Sequence, residues 1–143
     1  MKLLSSILVF AVFLTPFSSC AEDDDRLSPT GRDYVVITSV EPATDLVDGV
    51  LYEFAVDVEY ELASQPQAEL MIGFNTNAIG TYAMVPSSSE IVSKGRRRTT
   101  LNASVYAKDW GTDGDFKVYV NLSPYPHGDS WVPITNDSFE LTF

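Results

Sequence analysis

The sequence predicts an all-β fold, an antiparallel β-sandwich of about seven strands occupying residues 33–143. Three observations predict it: apolar residues recur at every second position, turn dipeptides separate the apolar runs, and no apolar stripe of period 3.6 develops. The alternation is clearest from 52 to 62. Tyr52, Phe54, Val56, Val58, Tyr60 and Leu62 would line one face, with Glu53, Asp57, Glu59 and Glu61 on the other beside Ala55. That pattern predicts a strand with one buried and one wet face.

The other elements follow the same period. Tyr34 to Val40 reads as a first strand ended by Pro42. Leu70, Ile72 and Phe74 alternate in a third, and Leu101, Ala103 and Val105 in a later one. Phe116, Val118, Val120 and Leu122 form another, and Phe139, Leu141 and Phe143 the last. Asp48-Gly49 and Asp113-Gly114 are turn dipeptides between apolar runs. Thr81 to Lys94 is open between a short edge strand and a single helical turn: Ser87 with Glu90 has capping-box spacing, whereas Ile91-Val92 is β-branched.

Ahead of this domain stands a leader. Lys2 is followed by the apolar run Leu3 to Leu14, then Pro16 and the small residues Ser18, Ser19 and Cys20. This order predicts a secretory signal peptide over residues 1–19. The run is short of the ~20 residues a bilayer-spanning helix needs. Cys20 is the only cysteine, so no intramolecular disulfide forms. Phe17-Ser18-Ser19-Cys20 resembles the lipobox of bacterial lipoproteins, with Phe17 where that family usually carries an aliphatic residue. The resemblance implies cleavage before Cys20, diacylation of its thiol and an anchor in the membrane. An ordinary secretory peptide with an incidental cysteine is the alternative.

Residues 20–32 are expected to be the lipidated cysteine and a flexible acidic tether, because Ala21-Glu22-Asp23-Asp24-Asp25 precedes a segment with Pro29 and Gly31. The four acids behind the cysteine are also similar to the surface-export signal of some Gram-negative lipoproteins, and Ala21 suits outer-membrane sorting in that family. The expected address is the bacterial outer membrane by lipid anchor, with cell-surface display weighed against a periplasm-facing domain.

The formal charge of the chain is −11, and removing the leader, whose one charge is Lys2, makes it −12. Such an excess repels phosphate backbones, so nucleic acid is excluded as a partner. The strand spacing resembles an immunoglobulin-like or fibronectin-type-III-like domain, and Asp115-Phe116-Lys117-Val118-Tyr119-Val120 is similar to the penultimate strand of such domains. Phe116 stands at the position of their tyrosine corner, and the cysteine pair and core tryptophan of antibody domains are missing. The resemblance implies a fold, and function must come from a site.

Four residues are the candidate binding set: Trp110, Tyr125, His127 and Trp131. They flank or occupy the long Pro-braced connection from Ser123 to Asp137, with prolines at 124, 126 and 133. Aromatics beside Asp and Asn can stack on sugar rings, or they can cap the open ends of a sandwich. His127 is the only histidine, so a metal or acid–base site lacks a second imidazole. Asp109, Asp113 and Asp115 are clustered as Ca²⁺ would like, but Asp-Gly is also ordinary turn chemistry. Arg96-Arg97-Arg98 could grip an anion, or balance the acids at 53–61.

The reading is a non-enzymatic envelope lipoprotein that needs no cofactor or metal and binds a protein or glycan through loops or a strand edge. The alternative is a glycan-binding accessory module using the loop aromatics. A third class, a hydrolase around His127 and Asp129, has no Gly-x-Ser-x-Gly motif behind it.

Overall fold

The computed structural model describes residues 27–128 and 132–143. The described residues are all-β and antiparallel, with five strands: β1 (Tyr34–Glu41), β2 (Leu51–Phe74), β3 (Val85–Tyr106), β4 (Phe116–Pro124) and β5 (Thr135–Leu141). Two short 3₁₀ turns, Thr81–Ala83 and Gly111–Asp113, sit in the connections.

Five strands stand where about seven were expected because neighbouring runs fuse. The alternating run at 52–62 and the run at 70–74 are one 24-residue strand. The ambiguous segment from 85 and the run at 101–105 are one 22-residue strand. The capping-box spacing of Ser87 and Glu90 therefore caps no helix. Ser87 Oγ donates to the Val85 carbonyl, and Ile91 and Val92 pair with Glu69 and Ala68.

β2 and β3 make a long hairpin that bends in the middle. Leu62 faces Gly95 and Gln67 faces Ser93, so residues 63–66 bulge out against Lys94 alone. Pro66 lies in that bulge, where it withdraws no donor from the ladder. Asp33 holds the bulge, its Oδ1 accepting from the N–H of Ala63 at 2.7 Å and of Ser64 at 3.0 Å. On the other strand Gly95 takes φ +129, which L side chains rarely adopt.

The bend decides the topology. β3 lines one edge of β2 throughout. On the opposite edge β1 pairs with 55–61 of β2, and β4 pairs with 68–74. β5 then adds to β4, and the sheet curls as a half-barrel. The first and last strands meet where Asp137 of β5 accepts the Ile37 N–H at 2.9 Å.

The core lies inside the curl. Phe54 and Phe74, from the two arms of β2, stand 4.9 Å apart at their ring centroids, and Phe116 of β4 is 5.8 Å from Phe74. All three are fully buried with Val56, Val58, Leu62, Leu70, Ile72, Val118, Val120 and Leu122. Burying each such side chain contributes about 1.5–3 kcal/mol. Phe116, at the expected corner position, is thus a packing residue. Gly73 lets the start of β3 cross β2, since a Cβ there would meet Met84 Cγ at 2.3 Å and the Val85 carbonyl oxygen at 2.5 Å.

Candidate functional site

The face of β2 expected to be wet is the first surprise. Glu61 is 1% exposed and Glu59 is 7% exposed. Each carboxylate on this face has its own partner. Glu53 accepts from Ser104 Oγ, and Asp57 accepts from Ser39 Oγ at 2.7 Å and Thr100 Oγ1 at 2.6 Å. Glu59 accepts from Tyr34 Oη at 2.6 Å and is forked by Arg96 and Arg98, whose Nη2 atoms lie 2.6 and 2.9 Å from its two oxygens. Arg96 also donates to the Ser28 carbonyl at 3.1 Å and lies over the Tyr34 ring.

Glu61 is covered from a distance in sequence. Residues 28–31 cross the face, and the Thr30 N–H, the Thr30 hydroxyl and the Gly31 N–H all donate to its oxygens at 2.6–2.9 Å. Residues 27–32, part of the expected tether, therefore include a docked segment. Gly31, at φ +82, supplies the turn that aims two successive N–H groups at one carboxylate.

The protonation of this row follows from its contacts. The Tyr34 hydroxyl, then Arg96 and Arg98, hold the Glu59 carboxyl down at about 2 against a burial that would raise it. Burial pushes the Glu61 carboxyl up, but the Thr30 and Gly31 donors outweigh it and hold it below the usual range. Ser39 and Thr100 lower Asp57 likewise. All three stay ionised near neutral pH, so none is poised there to deliver a proton. The row is a structural clamp, beside an open cleft of about 710 Å³ lined by Thr38, Asp57, Val58, Arg98, Thr99 and Thr100.

The far edge of β3 is the second feature. Among the described residues no strand pairs with it on the side away from β2. The Arg96 carbonyl accepts from the Leu27 N–H at 3.3 Å and so points away from β2, whereas Ala107 exchanges bonds with Gly49 and Val50. N–H and C=O groups alternate sides along an antiparallel strand. The backbones of Arg98, Thr100, Asn102 and Ser104 therefore also face outward. Near the end of this edge, Leu51 and Tyr106 are paired and exposed, as are Val47 and Val50 in the adjoining turn.

The sequence candidates are dispersed. Trp110 is partly buried against the core, its indole N–H donating to the Asn75 carbonyl at 3.0 Å with Lys108 over the ring. It belongs to a clamp that sequence reasoning missed: Asn75 is fully buried, its Nδ2 donates to the Asp115 carbonyl, and its Oδ1 accepts from the Lys117 N–H. The only sequence signal was the polar Asn75-Thr76-Asn77 after a strand.

The loop expected from Ser123 to Asp137 is shorter, because β4 runs to Pro124 and β5 begins at Thr135. Within it Tyr125 is exposed and meets His127 edge-on at 6.2 Å. His127 Nε2 lies 2.6 Å from Glu69 Oε2 on β2. Trp131 and Asp129, and also Cys20, lie outside the described residues. Trp110 is thus tied to the Asn75 end, whereas Tyr125 and His127 stand with Glu69.

The three aspartates all lie in the connection between β3 and β4. Asp109 Oδ1 accepts from the Gly111 N–H at 2.8 Å, and Asp115 pairs with Lys117 at 3.0 Å. Among the described residues no group of three metal-type ligands occurs.

In comparisons with known proteins, no family model, no curated protein and no solved structure matched this chain.

Proposed function

We propose that this chain is a non-enzymatic envelope lipoprotein, held at the bacterial outer membrane by an acylated Cys20, whose β domain is a binding or assembly module displayed at the cell surface. The observation that carries the module reading is the outward edge of β3, a row of backbone donors and acceptors with no strand beside it among the described residues. Such an edge is a template for an added strand unless it is blunted. The anchor reading rests on the leader and on Cys20, and among the described residues no helix is long and apolar enough to cross a membrane.

The same reading treats the curled sheet as a variant of the immunoglobulin-like two-layer sandwich. Its support is the bend in β2 and β3, which lets β1 join one arm and β4 the other with the phenylalanines between. A glycan-binding alternative draws on the exposed Tyr125 ring beside His127.

The test of the anchor is Cys20→Ser. Metabolic labelling with palmitate should vanish and the protein should leave the membrane fraction. Unchanged labelling and unchanged membrane partition would refute the lipoprotein reading.

A further inference from the structure

The outward edge of β3 is not uniform, and its two ends differ in a way that selects an occupant. At one end stand Arg97 and Arg98. Glu59 is shared between Arg96 and Arg98, so one carboxylate faces two guanidiniums. Arg97 has no ion-pair partner among the described residues, and the Arg98 side chain is 61% exposed although it touches Glu59. Glu90 of the first arm lines the same depression as Arg97 and Arg98, so three guanidiniums stand over the two carboxylates Glu59 and Glu90, and a small positive excess is left at this place in an otherwise acidic protein. At the other end Tyr106 is 64% exposed beside Leu51, with Val47 and Val50 next to them. Between the ends, Thr100, Asn102 and Ser104 turn their N–H and C=O groups outward.

The chain already uses this edge once. The Leu27 N–H bonds to the outward carbonyl of Arg96, so a backbone can reach the edge, and the free part begins at Arg98. The first arm of β3 is a poorer template, since Pro86 lacks a donor.

On the reading of the domain as a binding module, we infer that Arg98–Tyr106 is the docking edge for one extended polypeptide segment of another protein. That segment is acidic at the end beside Arg97 and Arg98 and apolar at the end beside Tyr106. Main-chain bonds to Arg98, Thr100, Asn102 and Ser104 hold it, and the two ends set its direction. A second copy of this chain fits the edge badly. Residues 99–108 contain no acid to offer the arginines, and their one charge, Lys108, has the wrong sign. Two mature copies, each at −12, also repel.

The test uses the full acylated chain in detergent micelles and two fluorescent ten-residue peptides of alternating threonine and valine. One carries two aspartates at its N-terminus and the other at its C-terminus, so both strand directions are sampled. One of them should bind, and replacing its aspartates with lysines should weaken binding about tenfold or more. Asn102→Pro removes an N–H that faces away from β2, so it should weaken binding by a similar factor and leave the melting temperature within a few degrees. In the unsubstituted protein, hydrogen exchange at Arg98, Thr100, Asn102 and Ser104 should slow when the peptide is added, which reads the edge without any variant. Failure of both peptides to bind at about millimolar concentration would overturn the inference. So would slowed exchange at these amides without peptide, which would indicate a second copy. Binding of either peptide that ignores both Asn102→Pro and the charge swap would also overturn it, while leaving the module reading standing.

Discussion

Replacing Glu59 with glutamine keeps the shape of the side chain and removes its charge, leaving Arg96 and Arg98 without an anion between them. The drop of its carboxyl from 4.5 to about 2 corresponds, at about 1.36 kcal/mol per pH unit, to about 3 kcal/mol of preference for the ionised form in the folded state. That figure is an upper bound. The side chain is 10% exposed and lies on the outside of a single sheet, where water screens the pair, so about 1–2 kcal/mol is expected. For a domain of this size the fall in melting temperature is on the order of 5–10 °C.

The pH dependence carries the sharper test. The folded value lies below the unfolded one, so the stabilisation is fully present above about pH 5 and is lost as pH falls from 4.5 towards 2. Urea denaturation of both proteins, followed by tryptophan fluorescence between pH 7 and pH 2, would show the gap between them closing across that window. A gap below about 0.5 kcal/mol at pH 7, or one that persists unchanged at pH 2, would refute the account of Glu59 as an ionised clamp.

Two further substitutions test the packing. Gly73→Ala should cost about 2–3 kcal/mol in urea denaturation, because its Cβ would press on the backbone oxygen of Val85, whereas Gly128→Ala, with open space around it, should change little. Trp110→Phe should lower stability by about 1 kcal/mol through loss of the bond to Asn75 and leave peptide binding untouched; lost binding at unchanged stability would return Trp110 to a recognition role.

The sequence by itself determined the all-β class and the inner face of its clearest strand. The two-residue period from Tyr52 to Leu62 needs only the pleat to place Phe54, Val56, Val58, Tyr60 and Leu62 on one side, and all but the intermediate Tyr52 are buried. Asp48-Gly49 was legible as a turn for a similar local reason, since Gly49 takes φ +75. Arg96 and Arg98 do meet the acidic face, as the balance of charges suggested.

Only the tertiary structure decided whether a polar interruption ends a strand or bends it. Ala63-Ser64-Gln65-Pro66-Gln67 reads as a break, yet Asp33, thirty residues earlier, supplies the acceptor that holds it as a bulge. It also decided which polar face stays wet. Alternation shows that Glu59 and Glu61 leave the core, but it cannot show that Thr30 and Gly31 come back to cover Glu61 or that Tyr34, Arg96 and Arg98 enclose Glu59. The open edge of β3 is of the same kind. Whether a backbone N–H is paired depends on which strand lies beside it, and neighbours in a sheet are chosen by contacts far apart in the chain, not by the residue that carries the group.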